Sequence, residues 1–355
     1  MASCVTIPES LDDVELPKEL PPIVVTAFAR SDLLEQVLTA IGQQSLLPPK
    51  IIAFVDGARK PEDQPLIKNC VSLLEDFAKI IPVHVVQREH NLGCDQNVIL
   101  GFTEVFSDYD SIVYLEDDDV PNAYFYDRMC RLLEVYRDCK QVCSVSSYAT
   151  YPENLNIPEN ADFIVSNRVF SWGIGLWADR WQEMDLANHS GQYNPFGHFY
   201  HVPATSQTKM TIINQFWLEK NLKTDWVITF TLAALYHHKV HIVPVKSFAL
   251  NIGFGHPESE TYKGEEQAWV NAKYDKKFYP NSLPASLELS NQLKQSLSDL
   301  EIIQYFWDKG IWLTPLAFLH LFKVSSSLSS KILLLKFFIK RFNRVVQRWR
   351  SKLPA

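Results

Sequence analysis

Five short apolar runs rich in β-branched residues, the first four each followed by a segment of helical period, constrain this chain more than any other feature. They are Ile23–Ala27, "KIIAFVDGA" ending at Asp56-Gly57, Val83–Gln87, Ser111–Leu115 and "QVCSVSS" from Gln141. After the first, Leu33, Leu34, Val37, Leu38 and Ile41 recur at helical spacing, with Ser31 as the expected N-cap. Further helices are predicted over Leu66–Ile80, Asp95–Phe106 and Ala123–Tyr136. Such alternation predicts an α/β fold: a doubly wound, mostly parallel sheet with helices on both faces. Ligands of these sheets bind beyond the carboxyl ends of the strands. Asp56, "REHNLG" and "EDDD" all fall at strand ends, so they are expected on one edge.

The second half is less regular. "YPENLNIPENAD" reads as a loop, and "LANHSGQYNPFGHFYHVPATSQ" as a long irregular segment of the kind that is functional or mobile. Lys209–Leu222 and Trp226–His238 read as helices and "VHIVPV" as a late strand. The expected organisation is an arm over 1–20, loose and proline-punctuated, and one α/β domain over 21–280 with halves 21–150 and 151–280. A helical basic tail follows over 281–355.

Charge separates the body from the tail. From Lys309 onward there are ten Lys or Arg and no Asp or Glu, so the net charge of -7 conceals a strongly acidic body. That pattern argues against a nucleic-acid partner, whose basic footprint would lie on the folded domain. Lys336, Lys340, Arg344 and Arg348 recur every fourth residue, with Ile332, Leu335, Phe338, Phe342, Val345 and Trp349 on the other side. A basic amphipathic helix of this kind reads as an interfacial membrane anchor, or as a helix packed on the domain with its charges in water. No run of 18 apolar residues predicts a membrane span. The six cysteines lack metal-ligand spacing, and the first twenty residues lack signal-peptide character. Both point to a cytoplasmic setting, at most peripheral on the inner membrane face.

The acidic run Glu116–Asp119 is either a solvated turn or a site for a hard divalent cation, Mn2+ or Mg2+. Its place at the end of a buried strand favours the second.

The segment "YLEDDDVPNAYFYDRMCRLLEVYRD" resembles metal-dependent nucleotide-sugar glycosyltransferases of the GT-A fold. The likeness is to bacterial family-2-like transferases and to N-acetylglucosaminyltransferase I. It extends over about residues 21–265 and implies a UDP-sugar donor. It places Glu116 and Asp117 by the donor ribose and makes Asp118 the metal ligand. "VVTAFAR" implies Thr26, Ala27 and Arg30 at the nucleotide. Asp56 matches the acceptor for the pyrimidine N–H, with an Asp-Gly turn as the plainer reading. Arg88, Asn91 and Gly93 of "REHNLG" match a turn that aims a helix N-terminus at the site. Trp172 and Gly173 of "FSWGIGLWADRW" resemble an acceptor or sugar pocket, although core packing explains such aromatics too, and Trp226 is assigned with them. Asp225 of "KTDW" matches the catalytic base; capping the next helix is its alternative, a task open to Thr224 as well. His256 after "NIGFG" is a second metal ligand or a polar turn residue.

The resemblance implies an inverting hexosyl- or N-acetylhexosaminyltransferase building a surface polysaccharide or glycolipid on a saccharide or lipid-linked acceptor. A nucleotidyltransferase acting on sugar phosphates would show a glycine-rich loop after the first strand, and "TAFARSDLL" has none. A non-catalytic carbohydrate-binding protein is the remaining alternative.

Overall fold

A computed structural model describes residues 7–189, 193, 226–259, 264–294, 298–308, 313, 315–325 and 327–350. Strands β1 (Ile23–Ala27), β2 (Ile51–Val55), β3 (Val83–Gln87) and β4 (Ser111–Glu116) form the parallel half of an eight-stranded sheet. Helices α1 (Ser31–Gly42), α2 (Asp63–Phe77) and α3 (Cys94–Val105) connect them. The apolar runs of β1, β2 and β4 are continuous because both faces are covered. Val24, Ile52, Phe54 and Tyr114 enter one core, while Ile23, Val25, Ala53, Val55 and Leu115 enter the other.

The remaining strands are β5 (Asp119–Pro121), β6 (Val142–Ser146), β7 (Phe163–Ser166), β8 (Ile174–Trp177), β9 (Val240–Pro244) and β10 (Ala249–Asn251). The main order is β3-β2-β1-β4-β8-β6-β9-β7. The expected fifth strand, β6, therefore does not neighbour β4. The short β8 runs antiparallel between them, and its Gly175 faces Val113 on one side and Val145 on the other. A Cβ at Gly175 would meet the Val145 side chain at 2.6 Å, so glycine permits this close insertion. Helix α4 (Phe125–Val135) packs under the sheet, followed after β8 by α5 (Ala178–Met184), α6 (Leu186–His189) and α7 (Trp226–Tyr236). Strands β5 and β10 form a separate antiparallel pair in which Asn251 faces Asp119.

Two expectations need correction. Ser31 is the first residue of α1 and not its cap; Arg30 occupies the cap position without a side-chain cap bond. The N-terminal arm is docked where it is described. Leu11 is fully buried, its amide donates to the Asn281 carbonyl at 2.9 Å, and Asp12 pairs with buried Arg128 at 2.8 Å. Segment 281–287 thus packs with the arm: the Leu283 amide donates to the Glu9 carbonyl, and Leu283 and Leu287 join the core. The expected helix over 209–222 lies outside the described residues.

Helices α8 (Asp299–Asp308), α9 (Pro315–Val324) and α10 (Leu328–Arg350) follow. Ile303, Phe306, Leu321 and Leu334 are buried among them, whereas Leu335, Phe338, Ile339 and Phe342 of α10 are exposed. No helix among the described residues is long and apolar enough to cross a membrane.

Candidate nucleotide cleft

The register of the parallel strands builds the site. Thr26 of β1 sits beside Glu116 of β4 and Phe54 of β2, so residues just past each strand share one edge. There they line a cleft of about 720 Å³, within the usual size for a small-ligand site. Thr26, Ala27, Arg30, Asp56, Asn91, Gly93, Glu116, Asp117, Asp118 and Trp172 all contribute to its walls. Ten of the residues singled out in the sequence therefore converge.

The acidic run is met by a guanidinium. Arg30 Nη1 donates to Asp118 Oδ2 at 2.7 Å, its Nε to Asp117 Oδ2 at 3.3 Å, and its Nη2 to Asp117 Oδ1. Burial works against the charge on Arg30, but Asp117 and Asp118 outweigh it and hold the side chain protonated. Asn251 Nδ2 donates to Asp118 Oδ1 and Asp119 Oδ1, both at 3.1 Å. Asp119 is fully buried and accepts from the Glu116 amide at 3.2 Å. It closes the turn that carries the other acids.

One arginine does not neutralise four carboxyl groups. Burial and then the Asp118 charge push Glu116 up to about 8, despite a hydrogen bond to Ser171. Burial likewise raises Asp118 to about 6, against the pull of Arg30, and Asp119 well above the usual carboxylate range. A hard divalent cation fits this donor set, being matched to carboxylate oxygen and relieving the same excess charge. Among the described residues no three His, Cys, Asp or Glu converge to hold a metal. Mg2+ or Mn2+ takes one or two carboxylates and completes its shell with phosphate oxygens and water. Asp118 offers a carboxylate of that kind in the cleft wall.

Asp56 has a fuller set of partners than expected. Its Oδ1 accepts from the Gly57 and Leu92 amides and its Oδ2 from Asn91 Nδ2 and the Gly93 amide, at 2.8–2.9 Å. All of its principal acceptor directions are taken, so Asp56 holds the 91–93 turn against the end of β2. Gly57 fits beneath because a Cβ there would lie 2.2 Å from the His90 carbonyl carbon. Gly93, at φ 79°, then turns the chain into α3 and aims its N-terminus at the cleft.

Four expected residues stand elsewhere. Arg88 is outside the cleft lining, bonded to Asn97 and paired with Glu104 at 2.8 Å. Gly173, at φ 71°, packs on Ser147, whose Oγ a Cβ would meet at 2.0 Å. Trp226 is buried in the core against Phe102, Tyr114 and Phe230. His256 Nδ1 accepts from the Glu258 amide at 3.1 Å and its Nε2 lies 3.3 Å from Asp32, so it shapes a turn. Asp225 and Thr224 lie outside the described residues.

Sequence reasoning missed Asn251, Arg59 and Glu258. Arg59 stacks on Phe28 at 4.5 Å, pairs with fully buried Asp63 at 3.1 Å, and reaches Glu258 at 3.2 Å across the cleft. Asn251 begins the "NIGFG" stretch. Gly253 has to lack a side chain because a Cβ would lie 1.8 Å from Asp118 Oδ2.

Residues 23–193 match the model of the family described as glycosyl transferase family 2. Among solved structures, S. aureus TarS is similar at 11% identity and a TM-score of 0.40, over 64% of this chain and 36% of that one. Residues 1–349 of TarS in complex with UDP-GlcNAc give 10% identity and a TM-score of 0.37, over 91% and 73% of the two chains. Pyrobaculum calidifontis mannosyltransferase PcManGT, in complex with GDP-Man and Mn2+, gives 15% and 0.34 over 57% and 55%. The chain spans well under two thirds of the first of these structures. No curated protein matches it. The likeness to N-acetylglucosaminyltransferase I rests on the acidic segment alone. The family match over residues 23–193 and the mostly parallel sheet described above agree with a glycosyltransferase body of the GT-A fold.

Proposed function

We propose that this glycosyltransferase domain takes a sugar from a UDP-linked donor bound in the cleft and passes it, with inversion and with a divalent metal, to a saccharide or lipid-linked acceptor. The observation that carries the reading is the meeting of the Arg30–Asp117–Asp118 cluster with the Asp56-held turn on one cleft. The turn presents the α3 N-terminus, whose amides and dipole favour phosphate oxygens. Across the cleft, Asp118 would hold the cation, which when bound neutralises the departing diphosphate. Arg30 keeps Asp118 and Asp117 oriented toward the cleft. Asp56, committed to the turn, shapes the base pocket through the backbone it fixes.

Asp225 is the proposed base. It accepts the proton of the acceptor hydroxyl while that oxygen bonds to the anomeric carbon and the bond from that carbon to the diphosphate oxygen breaks. The motif match supports this role.

The reading extends to the tail. Leu335, Phe338, Ile339 and Phe342 lie exposed on a helix that also exposes Lys336 and Lys340, which supports contact with an anionic membrane surface. Lipid-linked acceptors for surface polysaccharide or glycolipid synthesis would be met there.

Screening UDP- and GDP-sugars for donor hydrolysis with Mn2+ tests the assignment. Turnover of a UDP-sugar by the wild type, with Asp225→Asn binding UDP but transferring nothing, is expected. Undiminished turnover by Asp225→Asn would remove that residue as base, and hydrolysis confined to GDP-sugars would remove UDP.

A further inference from the structure

The cleft ends on one side at Trp172, and the aromatic surface continues beyond it. Trp172 is only 3% exposed, packed edge-on to Tyr148 at 4.6 Å and beside Phe170 at 5.3 Å. Trp269, from the turn after Gln267, lies parallel to it, with ring planes 7° apart and centroids separated by 6.2 Å. Trp269 is 47% exposed. Its ring is thus supported from behind while part of its surface is left to solvent. The next residue, Val270, is buried in the same cluster.

We propose that Trp269 is the stacking platform for a pyranose ring of the acceptor saccharide. This rests on the glycosyltransferase reading of the cleft. Three observations point to that occupant. The platform begins where the acidic cluster ends: Ser171 hydrogen-bonds Glu116, and Trp172 both lines the cleft and backs Trp269. A sugar on Trp269 would therefore stand beside the cleft, one aromatic ring beyond its wall. The platform is also flat and supported, as the C–H face of a pyranose requires, so little freedom is lost on binding. Finally, its rim is polar and acidic. Glu265, Glu266 and Gln267 are exposed on the same loop, and Glu266 Oε1 accepts from Asn271 at 3.0 Å. Sugar hydroxyls suit such a rim, whereas an anionic lipid surface does not.

The test uses the full chain as wild type, Trp269→Ala and Trp269→Leu, applied to a panel of immobilised neutral oligosaccharides. UDP thermal shifts are recorded on the same preparations. Wild type is expected to retain glycans that both variants bind about tenfold more weakly or worse, a loss of the size expected for one stacking ring. The UDP response should be unchanged in all three. Equal glycan binding by wild type and either variant would overturn the proposal, as would a wild type that responds to UDP but retains no glycan. A wild type that binds glycans in a Trp269-dependent way without responding to UDP would overturn the donor reading and leave the platform standing.

Discussion

Arg30 lies 2.7 Å from Asp118 and sets a positive charge against the buried acidic run. The two residues follow the same, carboxyl ends of parallel neighbours, β1 and β4, and meet because Thr26 and Glu116 share a register position. The pair fixes both the fold of the edge and the direction in which Asp118 faces.

Replacing Arg30 by Met should leave Asp117 and Asp118 buried without a counter-charge. A loss of roughly 3–5 kcal/mol is expected, the usual result of breaking a buried ion pair from one side. Urea unfolding in EDTA would measure it, and Mn2+ should restore part of the loss. A change below about 1 kcal/mol would place the pair among weak surface bridges.

Gly253→Ala should disable the site with the body intact. The added Cβ would press on Asp118 Oδ2 and come within 3.0 Å of Arg30 Nη1. Affinity for UDP with Mn2+ should fall about tenfold or more, as expected for a small misplacement of a positioned group. Calorimetry beside a far-ultraviolet spectrum checks this, and unchanged affinity would contradict it.

The metal-free protein should lose stability as pH rises from about 5 to about 8. Glu116, pushed up to about 8, and Asp118, at about 6, hold protons in the folded state that the unfolded chain releases nearer the ordinary range of 4.5 and 3.8. The folded state thus binds more protons within that window, so stability falls with rising pH and levels off above it. Each such group contributes a slope of up to ~1.4 kcal/mol per pH unit. Unfolding midpoints in EDTA across this range would show the decline, and Glu116→Gln should flatten it. A Glu116→Gln profile identical to wild type would contradict the assignment.

How much was legible in the sequence follows from what each segment buries. β1, β2 and β4 are covered on both faces, so their apolar runs are unbroken and legible, whereas edge strand β3 exposes His84 and Gln87. β8 is four residues long and carries a glycine, too little pattern to betray a strand inserted antiparallel between β4 and β6. Residues at strand ends converged as expected because parallel register carries them to one edge. Trp226, Gly173 and Arg88 did not, because type and proximity to a motif cannot tell a core-facing side chain from a cleft-facing one. Asn251, Arg59 and Glu258 reach the site through pairings distant in sequence, to which no local pattern points. Asp56 was legible as a site residue, but its four bonds to the turn were not.

The exposed face of α10 should bind anionic vesicles. Leu335→Ser, Ile339→Ser and Phe342→Ser together leave buried Leu334 and the contact of Phe338 with Phe318 in place, so the packing on α8 and α9 should survive. In flotation with phosphatidylserine vesicles the wild type should rise and the triple variant stay behind, with high salt weakening the wild type as well. Equal partitioning of the two would count against membrane contact.

The central claim is that a divalent cation joins Asp118 to a donor's diphosphate. It is tested most directly by titrating UDP calorimetrically into wild type and Asp118→Asn, with Mn2+ and with EDTA. Heat of binding should appear for wild type with Mn2+ and vanish in EDTA and in the variant. UDP binding of equal strength in EDTA, or in Asp118→Asn, would contradict it.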